Sequence, residues 1–502
     1  MWHKHSPMEK LKRIPFFVPL VSIFFVLHGV LENFGFIPIP DALVLLCVYA
    51  GLTALVGSIS WLLLRNKGRA AIFTTAFMAI FFFYEAFIQL MTKHFPHRFF
   101  TTNSFLLFIG LLALLALFIY LKKSKSTFPR LFLFLNTTLL IYILVDTGWI
   151  FLKLLSPPVN PLSVYSFAKD ASATPCTACA KPDVYFLLFD EYASSLALKE
   201  QYNYDNSPLD SFLINQGFHI NNQSSSNYNL TVFSMASVLN MSYIEGLKST
   251  GRIISQDYTN AYQLIRDNKV IGLFSGEGYE IKNYSIFDLA GQPTSAWQSF
   301  LPLKTRLLTA RTLAERLARH ANSLLAKYLG FKYFVVREYM KYYSGNEAFL
   351  KGVASEAAQK SSRPRFLYAH FIMPHFPYLF DAAGHRKSDQ QIYEESNTNP
   401  SSAYLNYLPY TNKRLEDLVL HIRESDPNAV ILLCGDHGFR EWTTTQPPHF
   451  QFQNLNAVYF PDHDYSRWGA KISFVNQFRI VANQLFHMDY QLLKDSTTLL
   501  GE

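Results

Sequence analysis

The chain has 502 residues, half of them hydrophobic, and carries 45 Lys and Arg against 37 Asp and Glu for a formal net charge of +8. That length exceeds one ordinary domain, and the long apolar runs are confined to roughly the first third, so two parts of different character are expected. The positive balance lacks the stripe of Arg and Lys with interleaved aromatics that nucleic-acid binding requires, so no nucleic-acid partner is expected.

Five stretches reach membrane-spanning length: Ile14 to Val30, Leu43 to Leu64, Ala70 to Met91, Ser104 to Leu121 and Leu131 to Leu154. No small-residue cleavage site stands out after the first, which therefore reads as a helix and not as a removed signal peptide. Basic residues mark three connections on one side. Lys4, Lys10, Lys12 and Arg13 precede the first span, Arg65, Lys67 and Arg69 fill the second connection, and Lys122, Lys123, Lys125 and Arg130 the fourth. The first connection has no Lys or Arg, and the third only Lys93 and Arg98. The positive-inside rule then puts the N-terminus in the cytoplasm, and five crossings carry the remainder outside. The expected organisation is a five-helix transmembrane bundle over residues 1–155, a linker over 156–180 and an extracytoplasmic domain over 181–502, in a protein integral to the cytoplasmic (inner) membrane. Apart from Glu85 and Asp146 the spans hold few ionisable residues, which argues against a transport pathway.

Pro157, Pro158, Pro161 and Pro175 make the linker stiff and irregular. Four cysteines are too few for a disulfide framework. Cys47 and Cys434 read as small apolar residues. Cys176 and Cys179 form a lone C-x-x-C for which a local disulfide, an inert thiol pair and a metal or redox role all stay open.

Beyond the linker, the runs Asp183 to Phe189, Arg365 to Met373, Ala429 to Cys434 and Asn456 to Phe460 are short and nearly continuously apolar, as strands buried on both faces are. Between them lie helical candidates, Leu308 to Leu329 and Tyr404 to Ser425, the latter with a stripe through Leu408, Leu415, Leu418 and Leu420. Strands alternating with helices predict an α/β domain with a mainly parallel central sheet.

In such a sheet, ligands collect beyond the carboxyl ends of the strands. The first strand ends in Asp190 and Glu191, and the third in Gly435-Asp436-His437-Gly438. Oxygen and nitrogen donors of this kind suit a divalent cation such as Zn²⁺ or Mn²⁺. A further segment runs Ser225-Ser-Asn-Tyr-Asn-Leu-Thr231 into a stripe at Val232, Met235, Ala236 and Leu239 that predicts a helix beginning at Thr231. A threonine at a helix start is most commonly an N-cap, yet exposed N–H groups and the helix dipole also cradle phosphoryl or sulfuryl groups there. A nearby metal would activate its hydroxyl.

The order Asp190, then Ser-Asn-Tyr-x-x-Thr231-x-x-Ser, then His370-x-x-x-Pro-His375-x-Pro-Tyr378, then Gly435-Asp436-His437-Gly438 resembles the sulfatase-type branch of the alkaline phosphatase superfamily. Five spans followed by such a domain resemble lipoteichoic acid synthases and phosphoethanolamine transferases. The resemblance implies that Asp190, Thr231, Asp436 and His437 hold a metal, that Thr231 is the nucleophile and that His375 contacts substrate. It further implies a membrane phospholipid as donor of a phosphoglycerol or phosphoethanolamine group, an envelope glycan or lipid as acceptor, and a covalent phospho-threonine between the two. His370 reads as a core histidine, and His449 as a weaker candidate for a second metal or for substrate. Glu191 stands where relatives carry Gly or Ser, and reads as a second ligand or an exposed acid. Asp190 itself stands where those relatives carry Glu. No Cys/Ser-x-Pro-x-Arg formylglycine motif occupies the nucleophile position, which favours phosphoryl transfer over sulfate-ester hydrolysis. Asn229-Leu-Thr231 also matches a glycosylation acceptor, a chance match because a glycan there would obstruct the threonine. Hydrolysis of phosphate or sulfate esters and a non-catalytic envelope scaffold or sensor are the competing expectations.

Overall fold

The computed structural model describes residues 7–34, 37–95, 98–155, 179–244, 246–247, 253, 255–294, 305–318, 332–441, 447–469 and 471–501. The chain divides into two units: Met1–Pro158 with Gln298–Leu325, and Val159–Trp297 with Ala326–Glu502.

The first unit is helical: α1 (Pro7–Arg13), α2 (Phe17–Glu32), α3 (Ile39–Leu64), α4 (Lys67–His94), α5 (Asn103–Lys123) and α6 (Pro129–Leu155). Four of them, α3 to α6, are long and apolar enough to cross a membrane. The first expected span is the apolar helix α2, which at 16 residues is shorter than the usual spanning length of about 20. Pro15 separates it from α1, since proline breaks the helical hydrogen-bond ladder. The buried Asn136 on α6 closes that break, accepting from Phe17 N at 2.7 Å and donating to the carbonyls of Leu11 and Ile14 at 2.8 Å. The two acids noted in the spans are both paired, Asp146 with His28 at 3.1 Å and Glu85 with Arg316 at 3.1 Å.

Arg316 belongs to the segment 305–318, which packs with this bundle. Leu308 is buried among Phe25, Tyr49 and Phe82, close enough to Gly29 that a Cβ there would lie 2.4 Å from it. Arg311 reaches Glu32 at 2.9 Å. The helix expected from Leu308 to Leu329 is thus only partly visible. Arg306–Thr309 is a single turn, 313–318 is helical, and the remainder lies outside the described residues.

The second unit is α/β. Its described residues form a six-stranded sheet in the order β2 (His219–Ile220), β6 (Asn456–Tyr459), β5 (Val430–Gly435), β1 (Val184–Phe189), β4 (Arg365–Phe371), β3 (Glu280–Tyr284). The β5, β1, β4 and β3 strands run parallel, and β6 and β2 complete the sheet antiparallel. Side chains alternate across β1. Val184, Phe186 and Leu188 enter one core with helix α7 (Thr231–Asn240), while Tyr185, Leu187 and Phe189 enter the other with α8 (Tyr333–Ala358) and α9 (Ser401–Ser425). Both faces being covered explains why the central strands are apolar without alternation. On α9 the stripe holds at Leu408, Leu415 and Leu418, but Val419, not Leu420, completes the buried face. Helix α7 is buried at every position from Phe233 to Asn240. Its serines and asparagine are nonetheless satisfied, so polar letters in its sequence do not mark a solvent face.

Candidate active site

Parallel pairing in register makes the site. Phe189 sits level with Phe371 on one side and Gly435 on the other, so the residues after β1 and β5 leave the sheet at the same height. Asp190, Asp436 and His437 converge there, each buried, with one ligand atom from each lying within 4.8 Å of the others. The glycines flanking Asp436 and His437 permit this closeness. A Cβ on Gly435 would lie 2.3 Å from the Tyr192 carbonyl oxygen, and one on Gly438 2.1 Å from that of Phe450.

Thr231 comes to the cluster from the other direction. Leu230 is the N-cap of α7, with no capping bond from its side chain, and Thr231 is the first helical residue. The N-cap role that its position suggested therefore falls away. Its Oγ1 lies 3.3 Å from His437 Nε2, and Ser234, one turn on, donates to the Asp436 carbonyl at 2.6 Å.

The protonation pattern leaves lone pairs facing one another. His437 Nδ1 lies 2.8 Å from the Gly438 carbonyl oxygen, which can only accept, so the ring proton sits on Nδ1 and Nε2 presents its lone pair. That nitrogen is 3.2 Å from Asp436 Oδ2. Asp436 Oδ2 and Asp190 Oδ1 are both buried without a hydrogen-bond partner. Buried acceptors facing acceptors are costly unless a cation satisfies them. The donor set, two carboxylates and one imidazole oriented by a backbone carbonyl, fits a divalent metal.

His370 has a task beyond filling the core. Tyr368 is kept neutral by burial, reinforced by Asp436 and Asp190, so its hydroxyl donates to His370 Nδ1 at 3.1 Å, and Nε2 then donates to Asp190 Oδ2 at 3.1 Å. Burial raises the pKa of Asp190, but the nearby His375 and the hydrogen bond from His370 outweigh it and hold the carboxyl below its usual range. The signal was available in sequence: Tyr368 and His370 are two apart on a strand and so share a face.

His375 donates its backbone N–H to the Asp190 carbonyl at 3.1 Å and through Nδ1 to the Phe376 carbonyl at 2.6 Å. Its Nε2 lies 3.8 Å from Glu191 Oε2. Burial disfavours its charge, but Asp190 and Glu191 prevail and raise its pKa. Glu191 is not an exposed acid: it is 1% exposed, adopts a left-handed backbone with φ 63°, and stands outside the converging three. Its N–H donates to Asp436 Oδ1 at 2.8 Å, and its Oε1 accepts from the Arg440 N–H at 3.0 Å. His449 is exposed, with its ring against Phe450, and does not join the cluster. Asn454, which the sequence did not single out, donates to the Gly435 carbonyl at 2.6 Å and fixes the β5 turn.

The profile of the Sulfatase family matches residues 204–471, more than half of the chain. The chain belongs to the sulfatase family. Thr231, His375, Asp436 and His437 fall inside the match, and Asp190 and Glu191 precede it. It is therefore an enzyme of the sulfatase-type branch of the alkaline phosphatase superfamily, with apolar helices fit to anchor it in a membrane. No curated protein matches the sequence. Solved structures similar to it include the zinc complex of the C-terminal periplasmic domain of EcEptC from Escherichia coli, 12% identical over 64% of this chain and 87% of that one, with a TM-score of 0.38. The corresponding domain of the phosphoethanolamine transferase EptC from Campylobacter jejuni is 11% identical over 61% and 90%, TM-score 0.38. A phosphonate monoester hydrolase of Agrobacterium radiobacter is 11% identical over 61% and 74%, TM-score 0.37.

Proposed function

We propose that this sulfatase-family enzyme transfers a phospho-alcohol group, of phosphoglycerol or phosphoethanolamine type, from a membrane phospholipid to an envelope glycan or lipid through a phosphorylated Thr231. The observation that carries the reading is the Thr231 hydroxyl, half-buried in the first helical residue of α7, 3.3 Å from an imidazole lone pair beside two partnerless carboxylate oxygens. Asp190, Thr231, Asp436 and His437 would hold one divalent cation, Zn²⁺ or Mn²⁺. When bound, such a cation would favour the threonine alkoxide and offset phosphoryl charge. Thr231 Oγ1 attacks the phosphorus of the donor, the bond from phosphorus to the diacylglycerol oxygen breaks, and that oxygen takes up a proton. In net, the proton lost by Thr231 goes to that leaving oxygen, and in the second step an acceptor hydroxyl displaces Thr231 and gives its proton back to the threonine oxygen. Of the buried cluster and its neighbours, Thr231 and His375 keep partial exposure, so substrate approaches from their side and His375 Nε2 is placed to bind phosphoryl oxygens or supply the proton.

Five crossings, with α2 as the first, and an extracytoplasmic catalytic unit complete the proposal. Cys179 is disulfide-bonded, as suits an oxidising compartment, while Cys176 lies outside the described residues. Water in place of the acceptor would make the same site a phosphate- or sulfate-ester hydrolase, the reading favoured by the family to which the chain belongs.

Thr231→Ala in the full chain should retain metal while losing turnover by at least ~10³-fold, as expected for a nucleophile. Incubating the wild type with vesicles of phosphatidylglycerol and phosphatidylethanolamine should leave an adduct on Thr231 whose mass, by mass spectrometry, names the donated group. Full activity of Thr231→Ala would end the proposal.

A further inference from the structure

The loop that delivers Thr231 is held by a part of the chain far away in sequence. Residues 496–500 run alongside 227–229, with Thr498 N donating to the Asn227 carbonyl at 2.9 Å and Asn227 Nδ2 donating to the Ser496 carbonyl at 2.9 Å. Asn229 makes the tightest join. Its Oδ1 accepts from Leu500 N at 2.8 Å and its Nδ2 donates back to the Leu500 carbonyl at 3.2 Å, so that one side-chain amide pairs with a backbone residue in both directions. The Leu500 side chain is buried in the same core as Tyr228, Leu230 and Phe233.

The same amide is also tied, through one intermediate residue, to the loop that carries His437. Asn229 Nδ2 donates to Gln451 Oε1 at 3.1 Å, and the Gln451 carbonyl accepts from Gly438 N at 2.9 Å, next to His437. Asn229 is 4% exposed and two residues before Thr231. A buried amide with all these partners also cannot carry a glycan, so the acceptor triplet has another use.

We infer that Asn229 is a positioning residue: clamped by Leu500 on one side and tied through Gln451 to the His437 loop on the other, it sets the distance from Thr231 Oγ1 to His437. This rests on Thr231 being the nucleophile. The physical basis is that a displacement of the attacking atom by about 1 Å costs roughly 100-fold in rate, while binding that does not involve that atom is spared. The side-chain hydrogen bonds of Asn229 go to Leu500 and Gln451 and not to Asp190, Asp436 or His437, the three converging donors, so its removal should act on kcat far more than on KM or metal affinity.

The test uses the full chain in phosphatidylglycerol and phosphatidylethanolamine vesicles, with Asn229→Ala, Asn229→Asp and Thr231→Ala side by side. Asn229→Asp keeps the acceptor for Leu500 N and loses both donated bonds. The expected result for Asn229→Ala is a fall of about 10- to 100-fold in kcat and in the rate of Thr231 adduct formation, with KM and zinc affinity within about 2-fold. Asn229→Asp should be intermediate. An unchanged kcat in both variants overturns the inference, as does a loss of rate that only follows the loss of folded, zinc-bound protein. If Thr231→Ala stays active, the nucleophile assignment itself has failed, an outcome separate from either.

Discussion

His370 illustrates how much a single buried side chain can decide. In sequence it is one polar letter inside an apolar strand, and packing alone accounts for it. In the fold it passes a hydrogen bond from Tyr368 to Asp190 Oδ2, leaving Asp190 Oδ1 to point into the cluster. Outer partners of metal ligands typically contribute a factor of about 10–100 in metal affinity. His370→Phe, which fills the same space without the donor, should therefore weaken zinc binding by roughly that factor while the chain stays folded. Competition against a chromophoric chelator measures it, and an affinity within about threefold of wild type would return His370 to a packing role. Glu191 is the complementary case. In sequence it reads as a second ligand or an exposed acid, but the turn buries it and uses its backbone N–H to hold Asp436 and its carboxylate to hold Arg440.

Among the elements, the β5 turn shows why glycine brackets Asp436 and His437. Neither site has room for a side chain, because the obstructing atoms are backbone carbonyls that cannot rotate away. Gly438→Ala should cost about 1–3 kcal/mol, the range for forcing extra volume into a packed site, and lower the thermal midpoint by several degrees. Since Gly438 N also donates to the Gln451 carbonyl, metal affinity should fall with it. A variant with wild-type melting and zinc binding would mean that the turn opens freely. Helix α7 displays a related limit of pattern reading. Its apolar stripe located it to the residue, yet the helix is buried all round, because its polar side chains find partners within the unit.

For the molecule as a whole, the number of crossings decides which compartment the enzyme serves. With the N-terminus in the cytoplasm, as proposed, five crossings would put the catalytic unit outside; four would leave it inside. Helix α2, apolar but only 16 residues long, carries that difference. Ile214 is exposed on the catalytic unit, and Ile214→Cys in a Cys47→Ser background gives a reporter. A membrane-impermeant maleimide should label it in sealed right-side-out vesicles. Labelling that needs detergent would place the catalytic unit in the cytoplasm and remove access to an envelope acceptor.

By itself the amino-acid sequence determined the parts of this protein whose signal is local. Long apolar runs marked helices α2 to α6, nearly continuous apolar runs of five to nine residues marked β1, β4, β5 and β6, and strand-end motifs marked Asp190, Asp436 and His437. Each follows from solvent exclusion or from backbone geometry within one segment. The short strands β2 and β3 were not legible, since both are half-buried and polar and exist only because a neighbour's free edge pairs with them. Tertiary structure alone brought Leu308, Arg311 and Arg316 into the helical unit, turned Glu191 inward and joined Asn229 to Leu500. These depend on partners tens to hundreds of residues away, and a burial or hydrogen bond of that kind leaves no periodicity in the sequence from which it could be read.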